Sequence, residues 1–293
     1  MISRCAAELC FSAAFCVSPR AEDGAPERVK TFLLLVREYI PGGTLVDRFY
    51  PASNAAYHAA GELAARLSDL CGQSVMRLPS VRLKALCGRI PAFGQGVNTL
   101  NYLPNIGSRF CMELLGLPFA VAQETAMDAF PAEKLPCAAC RRCMHACPTG
   151  AITEKGFIKE RCIRFYMING KPMPTSMRGA IGAVRGVRGI VGCDVCQLVC
   201  PENAAKEAER QEADDFTLDE LLCCDQQTLQ RFADLYGRNY AIRNRIIAQA
   251  ILAAANTRRA DLLSQLDELR GSASPAVSQH AAWAMDKLQE KEK

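Results

Sequence analysis

With 293 residues the chain exceeds a single minimal domain, and its formal charge of +4 is mild enough neither to require nor to rule out an anionic partner. Hydrophobic residues make up 49% and charged residues 23%, which excludes disordered and fibrous classes, and no apolar run reaches membrane-spanning length. The 16 cysteines are the outlier. A disulfide scaffold suits short secreted chains, so metal ligation is the leading explanation of so many thiols.

The opening MISRCAAELCFSAAFCVSPRA imitates a secretion signal, with Arg4 ahead of an apolar stretch, but Glu8 interrupts it. Its spacing reads as an amphipathic helix with Ala6, Leu9, Cys10 and Ala13 inward. TFLLLV, Thr31 to Val36, predicts a buried strand. From Ala55 to Cys71 the residues Ala60, Leu63, Ala64, Leu67, Leu70 and Cys71 recur at helical spacing, with Glu62, Arg66 and Asp69 on the other side, so a helix packs on a sheet. Glycine and proline punctuate the run from Pro79 to Pro118, where GQGVNTL and PNIGSRF read as loops beside short strands. Residues 1–135 are thus expected to form an α/β domain with a small sheet and helices.

Cysteines dominate the expected second domain, 136–214. CAACRRCMHACPTGAI sets Cys137, Cys140, Cys143 and Cys147 in the C-x2-C-x2-C-x3-C-P spacing of bacterial-type ferredoxins. Three thiolates at every third residue wrap one cubane, and the fourth, redirected by Pro148, reaches a neighbouring cluster, so a second set must exist. RCI and GCDVCQLVCPEN supply it as Cys162, Cys193, Cys196 and Cys200. Ferredoxin pseudo-symmetry assigns Cys137, Cys140, Cys143 and Cys200 to one 4Fe-4S cluster and Cys147, Cys162, Cys193 and Cys196 to the other. Zinc is the alternative for C-x2-C pairs, although zinc sites rarely take a third cysteine two residues on. Cys5, Cys10, Cys16, Cys71, Cys87, Cys111, Cys223 and Cys224 lack ligand spacing and read as buried free thiols. His145 lies in the cluster loop, where it either tunes the cluster or faces solvent, while His58 and His280 read as ordinary helix residues.

The third expected domain, 215–293, is all-α. Ile242, Ile246, Ile247, Ala250 and Ala254 form one stripe, Leu262, Leu266 and Leu269 a second, and Val277, Ala281, Ala284 and Leu288 a third. Gly271 and Pro275 separate the last two, as in HEAT-like helical hairpins.

Taken in order, CPTGAI, RCI, GCDVCQLVCPEN and the tail segments IRNRIIAQAILAAAN and HAAWAMDKL resemble the epoxyqueuosine reductase family. That resemblance implies a cobalamin-dependent enzyme with two 4Fe-4S clusters that reduces epoxyqueuosine in tRNA to queuosine, with a corrin over the N-terminal domain. It further implies Asn98 and Asp194 as cofactor-binding residues, tRNA and an electron-donor protein as partners, no membrane, and a cytoplasmic location. GQGVNTL resembles the family's glycine-lysine-asparagine-threonine loop with Val97 in the lysine place, which puts Arg77 where the family carries its proton-donating aspartate. Arginine stabilises an alkoxide but hardly gives up its proton, so Asp69, Glu113 and Asp194 become the candidate acids. Lys171, Arg178, Arg185 and Arg188 lie in an acid-free stretch that either meets a nucleic-acid backbone or covers the second cluster, and Arg243, Arg245, Arg258 and Arg259 add charge in the tail. The altered loop leaves two rivals open: a non-catalytic two-cluster electron carrier and a reductase of another substrate.

Overall fold

The computed structural model describes residues 2–104, 106–121 and 137–290, so the boundary expected at 135–136 lies outside the described residues. Two compact units emerge, one gathering Met1–Ile40, Pro51–Cys140 and Pro201–Lys206, the other Pro41–Tyr50, Arg141–Cys200 and Glu207–Lys293.

The first unit holds α1 (Ile2–Glu8), β1 (Ala13–Val17), β2 (Thr31–Glu38), α2 (Phe49–Cys71, its body from Pro51 on), β3 (Met76–Arg77), α3 (Leu83–Cys87), β4 (Gly94–Gln95), β5 (Asn101–Tyr102), β6 (Phe110–Leu117) and α4 (Cys137–Cys140). The sheet runs β1-β2-β6-β3, antiparallel throughout, with Leu34 of β2 opposite Phe15 on one side and Leu114 on the other. TFLLLV is its central strand, and burial on both faces explains the unbroken apolar run. Phe32, Leu34 and Val36 join Leu78, Leu86, Ile90 and Phe93 in one core, while Leu33, Leu35 and Leu115 of the opposite face are equally buried. Each such side chain contributes about 1.5–3 kcal/mol. Arg77 pairs with Leu115 and its guanidinium lies over the Tyr57 ring, which puts α2 on that second face.

Two expectations here need correction. The opening helix stops at Glu8 with only Ala6 buried, because Cys10 takes a left-handed φ of 63° and Ala13 already belongs to β1. Along α2, Ala60, Leu63, Ala64 and Leu67 are buried as expected but Leu70 is 57% exposed. At roughly 100° per residue it stands about 80° off the Ala60 direction, at the margin of the stripe.

The second unit contains α5 (Arg142–Ala146), the hairpin β7 (Ile152–Thr153) and β8 (Gly156–Phe157), α6 (Ile163–Asn169), α7 (Thr175–Arg178) and α8 (Val195–Leu198). Past α9 (Ala204–Ala208) come α10 (Leu218–Cys223), α11 (Gln226–Tyr236), α12 (Arg243–Asn256), α13 (Leu263–Leu269) and α14 (Pro275–Gln289). The starts follow from local chemistry: Thr217 and Glu220 cap α10 reciprocally, Asp225 accepts from the Thr228 N–H at 2.7 Å, and Pro275 opens α14. Rather than showing one buried stripe, α12 is enclosed on all sides from Ile246 to Ala255, packed by α6, α10 and α14, whereas Ile242 ahead of it is exposed. Its alanines allow that close approach. No helix among the described residues is long and apolar enough to cross a membrane.

Candidate functional site

The cysteine loops are built on two short turns that pack together, α5 and α8. Arg141, at a φ of 50°, starts α5, Cys143 is buried inside it and Cys147 ends it in extended backbone. On the other turn Cys193 and Cys196 bracket Asp194, and Cys162 ends one 3-10 turn and opens α6. Burial above all pushes the Cys193 thiol up, and neighbouring Cys196, Cys162 and Asp194 push it further, so two other thiols assigned to the same cluster lie near it. Neighbouring sulfurs repel as thiolates, and a cationic iron core relieves that repulsion, so this donor set fits a cluster. Among the described residues no three His, Cys, Asp or Glu side chains converge as ligands of a single ion, whereas a cubane takes one thiolate at each of its irons.

Backbone amides already point at sulfur. The Ala151 N–H donates to Cys147 Sγ at 3.3 Å in the second unit, and in the first unit the Val97 N–H donates to Cys137 Sγ at 3.4 Å. Such bonds favour the charged thiolate and tune cluster potential. Val97 stands in the turn between β4 and β5, where the Leu100 N–H donates to Asn98 Oδ1 at 3.2 Å. Asn98 therefore shapes its own loop.

Asp194, expected as a cofactor-binding residue, lies inside the cysteine turn. Its side chain is 0% exposed, with Arg188 Nη2 at 3.1 Å and Arg210 Nη2 at 2.7 Å, and Arg210 also holds Glu207 at 2.8 Å. The carboxylate thus locks the cysteine turn from inside. Gly192, at a φ of 116°, completes the lock, since a Cβ there would come within 2.4 Å of Asp47 Cβ. No local pattern marks Arg210 or Glu207, which follow the cysteines at a distance. Nor does one mark Asn203, although it closes the CPEN motif. Buried in the first unit, it accepts from the Ser108 N–H at 2.7 Å, and Gly107 leaves the room it needs.

Arg77, expected where the family carries its aspartate, donates to Glu113 Oε2 at 2.9 Å while stacking 3.4 Å from the Tyr57 centroid. Burial raises the Glu113 pKa, with Arg77 opposing. Asp69 is exposed on α2.

Several basic residues serve the fold instead of a surface. Arg178 is buried and donates to the Met173 and Gln279 carbonyls, Arg188 belongs to Asp194, Arg243 donates to the Cys224 carbonyl, and Arg259 holds Asp219 and Asp261. Lys171 and Arg185 remain exposed. Of the eight cysteines read as buried thiols, only Cys87, Cys111 and Cys224 are buried, Cys5, Cys16 and Cys71 are half-buried, and Cys10 and Cys223 are exposed. His145 and His58 are exposed, and His280 is in the core.

Residues 136–203 match the 4Fe-4S double cluster binding domain family. An epoxyqueuosine reductase of Bacillus subtilis (strain 168) is 31% identical over 162 residues, covering 52% of this chain and 40% of that protein. The one from Xanthomonas campestris is 32% identical over 165 residues, 51% of this chain and 43% of the relative. The matched stretch therefore spans less than half of these relatives. In fold the likeness is longer: the epoxyqueuosine reductase from Streptococcus thermophilus superposes with a TM-score of 0.77 at 17% identity, covering 100% of this chain and 90% of that one. The chain is thus similar to epoxyqueuosine reductases in sequence over about half its length and in fold along its length.

Proposed function

We propose that the protein is a cobalamin- and iron–sulfur-dependent reductase converting epoxyqueuosine in tRNA to queuosine. The observation that carries this reading is the paired cysteine turns, α5 and α8, with crowded thiols around Cys193, in a chain with the reductase fold. Cys137, Cys140, Cys143 and Cys200 would hold one cluster, and Cys147, Cys162, Cys193 and Cys196 the other. A corrin, when bound, supplies a strongly reducing metal centre beside the substrate. Asn98 belongs to its surroundings, on the turn whose Val97 amide meets Cys137. Asp194 would serve the cofactors by holding the cysteine turn between its two arginines.

Removing the epoxide oxygen consumes two electrons and two protons and yields an alkene and water. Glu113 is the acid best suited to give a proton, because burial raises its pKa and it stands against Arg77. The Arg77 guanidinium keeps its charge and would stabilise the developing alkoxide. A solved epoxyqueuosine reductase carries a tRNA-Tyr stem loop, and its fold covers 98% of this chain at 19% identity with a TM-score of 0.75. Exposed Lys171 and Arg185 offer cations for such an RNA, with α12, α13 and α14 acting as HEAT-like hairpins. tRNA and a low-potential electron donor meet in the cytoplasm, the compartment that goes with this activity.

The test is conversion. Cluster-loaded protein, cobalamin, a chemical reductant and tRNA bearing epoxyqueuosine are combined anaerobically, and the digested nucleosides are separated by mass. Queuosine is the expected product, and Glu113→Gln should lower its rate about 100-fold and remove one limb of the pH profile. No conversion with both clusters intact would leave the electron-carrier reading.

A further inference from the structure

We infer that the β7–β8 hairpin and the 3-10 turn after it form the landing surface for an acidic one-electron carrier protein. The inference rests on the cluster reading above and adds where its electrons enter.

This hairpin is wired to the cysteine loops. The Ile158 N–H donates to the Ala151 carbonyl at 2.8 Å, and the Ala151 N–H in turn donates to Cys147 Sγ at 3.3 Å. The Cys162 N–H donates to the Lys159 carbonyl at 3.0 Å, and the Thr149 hydroxyl donates to the Arg161 carbonyl. A partner touching these residues therefore stands within a few covalent and hydrogen bonds of Cys147 and Cys162, both assigned to one cluster.

The outer face has the composition of a protein interface. Phe157, opposite Ile152 in the hairpin, is 39% exposed, one of few large apolar side chains left in solvent. Around it in sequence lie exposed Lys155, Lys159 and Arg161, with exposed Arg142 on α5, which packs against β7. The acids of the segment are Glu160 and Glu154, the latter bound by Arg141. An aromatic centre with a positive rim suits an acidic protein, and the direct hydrogen-bonded path from this surface to Cys147 and Cys162 favours an electron carrier over RNA. Each encounter would pass one electron from the reduced carrier to the oxidised cluster, leaving the carrier one electron poorer and moving no atom.

The experiment uses full-length, cluster-loaded protein and a flavodoxin as probe. Calorimetry gives the Kd at low and high salt, and stopped-flow absorbance gives the rate of cluster reduction by the hydroquinone form. Combined Lys155→Glu and Lys159→Glu should weaken binding at least about tenfold and flatten its salt dependence, and Phe157→Ala should weaken it with the salt dependence kept. Dithionite should reduce the clusters of every variant at the wild-type rate. Wild-type affinity and rate in the variants would overturn the inference, as would lost affinity for a tRNA stem loop with flavodoxin binding intact. Failure of dithionite to reduce any cluster, wild type included, would instead strike the reading beneath it.

Discussion

His280 makes stability depend on pH in a way that can be worked out in advance. The ring is 0% exposed, its Nε2 accepts the Met173 N–H at 2.9 Å, and Nδ1 lies 2.8 Å from the Ala248 carbonyl. The neutral tautomer with its proton on Nδ1 satisfies both bonds. Burial foremost lowers its pKa from 6.5 to about 4, so between those values the unfolded chain binds a proton that the folded chain refuses. The contribution is complete above the unfolded value and is lost as pH falls through this window, by ~2 kcal/mol on reaching pH 5 and ~3 kcal/mol in full. Glutamine can accept from Met173 and donate to Ala248 without titrating, so His280→Gln is the comparison. Urea midpoints of both proteins, with clusters loaded, would be measured anaerobically from pH 7.5 to 5. The wild type should lose stability relative to His280→Gln across that range, and parallel curves would refute the reasoning.

Other expectations follow from the cysteine turns. Asp194→Ala strands two buried guanidiniums and should cost about 3–5 kcal/mol, seen as a lower urea midpoint, whereas a loss under 1 kcal/mol would mean the lock is dispensable. Gly192→Ala faces both a positive φ and the Asp47 side chain, so cluster retention after gel filtration should fall, and unchanged iron content would argue that the turn can shift. Cys147→Ala should disturb the cluster of Cys162, Cys193 and Cys196 although it belongs to the first motif, and EPR loss confined to the other cluster would contradict the crossed ligand assignment.

What the sequence made legible was periodic or spaced. TFLLLV became the central strand because a strand buried on both faces is an unbroken apolar run, and the double-cluster match covers the two cysteine motifs. Position within a helix was harder to read: Leu70 and Ile242 fit their periods yet stand at a stripe margin and before a helix start, where burial ends. Charge was the least legible. Arg178, Arg188 and Arg259 read as surface cations, but their partners Gln279, Asp194 and Asp219 show their role only once distant segments are folded together. Asn203 and Glu113 escaped a firm assignment for the same reason, since Ser108 and Arg77 lie 95 and 36 residues away.

The most direct test of the account is a cofactor inventory of one sample. After anaerobic reconstitution with iron, sulfide and cobalamin and removal of the excess, iron, sulfide and corrin are quantified and the visible spectrum is recorded. The account predicts about eight irons and eight sulfides per chain, as two cubanes require, with about one corrin retained. Full clusters with no retained corrin would contradict the reductase reading in favour of an electron carrier, and zinc in place of iron would contradict the account at its root.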